Sequence, residues 1–172
     1  MGLNKENGGM GFQEFHCFNK ALLAKQLWRL WKNPDSLVAR IMKAKYFPKG
    51  EALDASLGSK PSYVWRSILS TKYLLKEGLI WRIGDGEKAR IWGERWISNP
   101  KRILTQSNQN HLFTEAKVSE LIIKELGVWD ANILKVFFRE EEVRAIQSIP
   151  LSNTHQADKM IWSGTKNGLF SI

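Results

Sequence analysis

The chain has 172 residues, 43% of them hydrophobic, with eight Trp and a formal net charge of +9. That length and composition give a globular protein of one domain or two small ones, and exclude a disordered or low-complexity chain. A single cysteine, Cys17, excludes an internal disulfide and a thiolate metal centre, which sets the natural location in a reducing intracellular compartment.

The charge is uneven. Residues 1–102 carry 19 Lys and Arg against 9 Asp and Glu, whereas residues 103–172 carry 7 against 8. A local basic excess points to an acidic partner, most often nucleic acid; it is equally what a solvated basic surface looks like. No apolar run approaches the roughly 18 residues of a membrane span. The opening MGLNKENGGMG has neither the apolar core of a signal peptide nor the Arg richness of a transit peptide.

The first helix is expected from about Gln13 to Lys32. Phe15, Phe18, Leu22, Leu23, Leu27, Leu30 and Trp31 recur at three- and four-residue steps. Lys25, Arg29 and Lys32 stand at i, i+4 and i+7 and so form one stripe. A second helix runs to about Lys45, with Asn33 as N-cap, Pro34 at the first helical position and Asp35 near the positive end. It carries Leu37, Val38, Ile41 and Ala44 on its packing side and Arg40 and Lys43 on another. Pro48 ends it.

Residues 49–60 read as a loop. A third helix opens at Pro61, turns Val64, Trp65, Ile68, Leu69 and Leu75 inward, and closes at Gly78. Around Gly84-Asp85-Gly86 the spacing changes to alternation, which predicts a hairpin over 79–92. Leu79, Trp81 and Ile83 share one face of its first strand, Ala89 and Ile91 one face of the return strand.

Residues 98–114 are polar and read as a loop, which places a unit boundary at 102/103. In the smaller second unit KVSELII is a short helix or strand. Helices follow around Asp130–Phe138 and Glu140–Ile146, and a second hairpin turns at Lys166-Asn167-Gly168. The expected class is thus α+β and mainly helical, with N-terminal helices, a β-hairpin, and a smaller helical unit ending in a second hairpin. The abrupt end at Ile172 is that of a fragment of something longer.

Catalytic constellations are lacking. His16 and Cys17 are neighbours and point about 100° apart on a helix, and Cys17 sits among Phe15, Phe18 and Leu22 as core filler. His16, His111 and His155 have no metal-ligand spacing. The run Glu140-Glu141-Glu142 reads as a solvated helix face, and GDGEK lacks the spacing and the Ser or Thr of a phosphate loop. No enzyme activity, cofactor, metal or small-molecule substrate is expected.

For binding, the best constellation sets basic side chains beside aromatics. Lys25, Arg29 and Lys32 come with Arg40 and Lys43, and Arg82, Lys88, Arg90 and Arg95 stand near Trp81, Trp92 and Trp96. Cations neutralise phosphates and exposed Trp stacks on bases. Trp is usually mostly buried, so each ring is first a core candidate.

Three stretches carry a family resemblance: GGMGFQEFHCFNKALLAKQLWRLWKNPDSLVARIMKAKYFP, SLGSKPSYVWRSIL and GLIWRIGDGEKARIWGERWI. In this order they resemble the segment downstream of the reverse transcriptase domain in plant non-LTR (LINE-type) retrotransposon proteins. IQSIPLSNTHQADKMIWSGTKNGLFSI resembles that family's next stretch, which leads into a zinc-binding, reverse-transcriptase-associated domain. Short plant open reading frames, some mitochondrial, resemble this segment alone. The family's aromatic-any-Asp-Asp polymerase turn, its cysteine cluster and its ribonuclease H-like acids have no counterpart among these residues, so no catalytic role carries over. The resemblance implies a connector after the polymerase thumb, near template RNA or target DNA, with the rest of a reverse transcriptase protein as partner and the nucleus or mitochondrion as its place. A protein–protein or intramolecular scaffold module, and a decayed element copy, are the other readings.

Overall fold

A computed structural model describes residues 15–97, 115–151 and 156–171. The order is α1 (Phe15–Lys32), α2 (Leu37–Tyr46), α3 (Tyr63–Leu69), α4 (Lys72–Gly78), β1 (Leu79–Arg82), a 3-10 turn (Val118–Leu121), β2 (Ile122–Ile123), β3 (Val128–Trp129), α5 (Ala131–Phe137), α6 (Glu140–Gln147) and β4 (Lys159–Trp162). The class is α+β: helices lead, and short antiparallel strand pairs follow. The described residues form two compact units, one within Met1–Gly78 together with Leu169–Ile172, the other within Leu79–Gly168. The boundary expected at 102/103, the loop 98–114 and the first helical residues at 13 and 14 lie outside the described residues.

In the first unit α1 packs on α2, α3 and α4. Ala24, Leu27, Trp28 and Leu30 are buried on one side of α1. The inward side ends there: Phe15 is 76% exposed, and Phe18 and Leu22 are exposed too, contrary to the expectation from spacing. At 100° per residue Phe18 lies opposite Leu27, whereas Phe15 and Leu22 stand only about 60° and 80° from Leu30, so helix phase accounts for Phe18 alone. Cys17 is likewise exposed and not core filler.

Helix α2 starts three residues later than Asn33 would have it. Ser36 is the cap, accepting the Ala39 backbone N–H and donating its hydroxyl to the Asn33 carbonyl. Leu37, Val38 and Ile41 are exposed rather than packed. The third helix is broken in two at Ser70–Thr71. Both hydroxyls donate to carbonyls three residues back, Ser70 to Ser67 and Thr71 to Ile68, each at 2.7 Å, and so compete with the helical ladder. Trp65, Ile68 and Leu75 are buried as expected, whereas Val64 is exposed. Trp65 stacks on Tyr46 at 4.9 Å and on Phe47 at 5.6 Å.

In the second unit the strand expected at 79 is present, but its partner is not local. β1 pairs antiparallel with β4, with Leu79 opposite Trp162, Ile80 opposite Ile161, Trp81 opposite Met160 and Arg82 opposite Lys159. The return strand of the expected hairpin instead runs beside residues 116–118: the Ile91 N–H donates to Ala116, and the Val118 N–H to Ala89. Ala89 and Ile91 are buried together, so the alternation is real and only its partner differs.

The cause is the loop between them. Asp158, 3% exposed, accepts four backbone N–H groups from Gly84, Gly86, Lys88 and Ala89 at 2.7–3.1 Å. A side chain at Gly84 would overlap the Gln156 carbonyl, and one at Gly86, where φ is +74°, the Ser119 backbone. The two glycines are there for this close approach. Near the C-terminus the expected turn exists, with the Gly168 N–H donating to Thr165 and the Trp162 N–H to Gly168. Leu169–Ser171 form no strand, and the partner of β4 is β1.

The core of this unit gathers Trp92, Trp96, Val118, Leu121, Leu134, Phe138 and Ile146. Trp92 stacks on Phe138 at 5.3 Å and Trp96 on Trp129 at 6.0 Å. Asp130 caps α5 through the N–H groups of Asn132 and Ile133. The Glu140–Glu142 run occupies the first turn of α6, where negative charge is favoured. It is not all solvated: Glu142 is 1% exposed and accepts the Arg139 N–H.

Candidate nucleic-acid interface

Helix α1 carries Lys25, Arg29 and Lys32 in one stripe, as the i, i+4, i+7 spacing requires, on the side away from Leu27 and Leu30 and flanking Trp28. Arg29 and Lys32 are exposed and Lys25 is half-buried. The Lys32 ammonium lies 4.3 Å from the Trp31 ring centroid and 5.2 Å from that of Trp28, which orients it while leaving it charged. Trp28 and Trp31 meet edge to face at 5.5 Å, and the Trp31 indole N–H donates to Glu51. Both rings are thus built into the first unit.

The same turn-to-turn line extends towards the helix start through Leu22 and Phe18, three and seven residues before Lys25. The aromatic-beside-basic pattern therefore appears on α1 with phenylalanine rather than tryptophan. Helix periodicity alone sets Phe18 on this line, although its apolar character predicts core. On α2, Arg40 and Lys43 are both exposed, three residues apart. Among the described residues Lys25, Arg29, Arg40 and Lys43 face no acidic partner.

The four cations expected further on stand in different settings. Arg90 forms an ion pair with Glu115 at 3.2 Å. The Lys88 backbone N–H is bound by Asp158 while its side chain is exposed. Arg95 is half-buried, and its backbone carbonyl accepts the Trp81 N–H. Arg82 is exposed at the end of β1, directly opposite Lys159. Of the three tryptophans beside them, Trp92 and Trp96 are buried and not available to stack on a base; Trp81 is half-buried. Lys159 went unseen in the sequence because its neighbour Arg82 is far away along the chain.

Burial pushes the Asp158 carboxyl up, but the backbone N–H groups of Gly84, Ala89, Lys88 and Gly86 outweigh that and hold it below its ordinary value. It is a structural anion. Among the described residues no group of three or more His, Cys, Asp or Glu stands close enough to hold a metal ion, and no helix is long and apolar enough to cross a membrane.

Comparison with known proteins gives two relatives, both from Arabidopsis thaliana. One, named "Uncharacterized mitochondrial protein", is 43% identical over 93 residues, which is 54% of this chain and 60% of that protein. The other, named "Putative ribonuclease H protein", is 28% identical over 177 aligned positions, which is 98% of this chain and 28% of that protein. The chain thus spans less than two thirds of either relative. No family model matches it, and no solved structure does.

Proposed function

We propose that this chain is a non-catalytic part of a retrotransposon reverse transcriptase protein of the non-LTR kind, a connector that supports binding of RNA or DNA. Similarity to one relative named as a mitochondrial protein and another named as a ribonuclease H protein is consistent with that origin. The non-catalytic part of the reading rests on the sequence, which has no Asp-Asp pair.

One observation carries the binding part. Residues 1–78 hold 13 Lys and Arg against 6 Asp and Glu, and four cations of α1 and α2 have no acidic partner among the described residues. Uncompensated cations in line with exposed Phe18 suit a phosphate backbone with a base against the ring. Binding is then weak, sequence-tolerant and steep in salt. Titrating the chain with a mixed-sequence single-stranded RNA at several salt concentrations tests this; affinity that does not change with salt contradicts it.

A scaffold reading has its own support in the exposed Leu37, Val38 and Ile41 of α2, an apolar face suited to another part of a larger protein. An insensitive salt response favours that reading.

A further inference from the structure

The second unit holds a cavity of about 670 Å³, within the roughly 300–1,000 Å³ of small-ligand sites. Its walls are mostly apolar and include Ile80, Trp81, Trp96, Ile149, Leu151 and Ile161, while Arg82 and Lys159 line it as exposed cations. Those two stand directly opposite each other in the β1–β4 register, so their side chains leave the ribbon on the same face. Like charges in that position repel. Neither has an acidic partner among the described residues, and Asp158, next in sequence to Lys159, is committed to four backbone N–H groups. The ladder thus sets two exposed cations side by side, a place that suits an anion.

The Trp81 ring also lines the cavity. Its indole N–H is buried and has no acceptor among the described residues. An apolar, Trp-lined cleft beside a pair of cations without acidic partners suits a flat heterocycle joined to a phosphate. We propose that Arg82 and Lys159 form a phosphate clamp on a base-accepting cavity, so that the second unit holds one unstacked nucleotide of a single strand. This rests on the nucleic-acid reading and adds a second contact point, independent of α1.

The test uses the full chain, a fluorescein-labelled oligodeoxythymidylate, an abasic strand of the same length, and polyglutamate as an acidic-peptide control. Arg82→Gln with Lys159→Gln should weaken oligodeoxythymidylate binding about tenfold and lower the log–log salt slope by about 0.7, one single-strand phosphate contact. The parent should bind the abasic strand more weakly than oligodeoxythymidylate, and the double variant should lose most of that difference. Its melting temperature should stay level or rise, because a repulsive pair is removed; Lys159→Gln alone weakens binding in the same direction with a smaller change in slope. Parent-like binding by the variants overturns the clamp and leaves the α1 interface standing. Equal binding of both strands by the parent overturns the base-accepting cavity. Polyglutamate bound as well as the oligonucleotide, and lost in the double variant, assigns the clamp to acidic protein instead. Failure of the parent to bind either strand overturns both this proposal and the wider one.

Discussion

The carboxylate of Asp158 accepts the backbone N–H of Gly84 at 2.7 Å, across 74 positions of sequence. Three further N–H groups of the same loop turn to the same two oxygens. This cradle bends the chain after β1 and lies immediately before β4, which pairs with β1. Asp158→Asn keeps the size, but offers one oxygen in place of two and sets an NH2 against backbone donors. It should destabilise the second unit by about 3 kcal/mol, the range for lost charge-assisted bonds and buried donors left unmet. Urea unfolding of parent and variant measures it; a difference under about 1 kcal/mol would contradict the assignment.

The same group sets an acid limit. Its folded pKa lies below the ordinary carboxylate value, so the unfolded chain takes up the proton first as pH falls. The stabilisation is complete above the unfolded value of about 4 and is lost as pH drops through the folded one. Thermal stability should therefore carry no Asp158-dependent change between pH 5 and 8, and should fall below about pH 4. Melting curves of parent and Asp158→Asn across that range should converge in acid. A constant separation down to pH 2 would remove Asp158 from the cause.

Trp65 is fully buried and stacked on Tyr46 and Phe47, yet its indole N–H has no acceptor among the described residues. Trp65→Ala should cost about 3–5 kcal/mol. Trp65→Phe should cost only about 1 kcal/mol, because the smaller ring leaves a void but removes an unmet donor. Tyr63→Ala, two residues away and exposed, should stay within about 0.5 kcal/mol. Denaturant titrations of the three variants give the ranking, and a Phe variant as damaged as the Ala variant would contradict the packing description.

What the sequence made legible follows from range. The helical stripe of Lys25, Arg29 and Lys32 needs only local periodicity, and Asp130 caps α5 from two and three residues away. The strand at Leu79 was visible for the same reason. Its partner was not, because Asp158 reaches loop donors 69 to 74 positions away, and nothing near Gly84-Asp85-Gly86 reports that acceptor. Hence a Gly-Asp-Gly loop reads as a local hairpin turn. The clamp candidate Lys159 was hidden by that same pairing. Phe18 is the opposite case: its apolar character predicts burial, whereas the helix phase puts it opposite Leu27. The tryptophans beside Arg90 and Arg95 followed their usual habit, since Trp92 and Trp96 are core.

The central claim is that the cations of α1 meet phosphate, and the most direct measurement compares salt slopes. Lys25, Arg29 and Lys32 are changed together to Gln, and binding to a mixed-sequence single-stranded oligonucleotide is followed by anisotropy across salt concentrations. Three phosphate contacts on a single strand correspond to a slope change of about 2. That loss is expected, with weaker binding and a melting temperature only slightly below the parent's, since a helix surface charge contributes about 0.3–0.5 kcal/mol and the Lys32 contact with Trp31 about 0.5–1 kcal/mol. A triple variant that binds as tightly as the parent, with the same slope, would contradict it and leave the α1 stripe a solvated face.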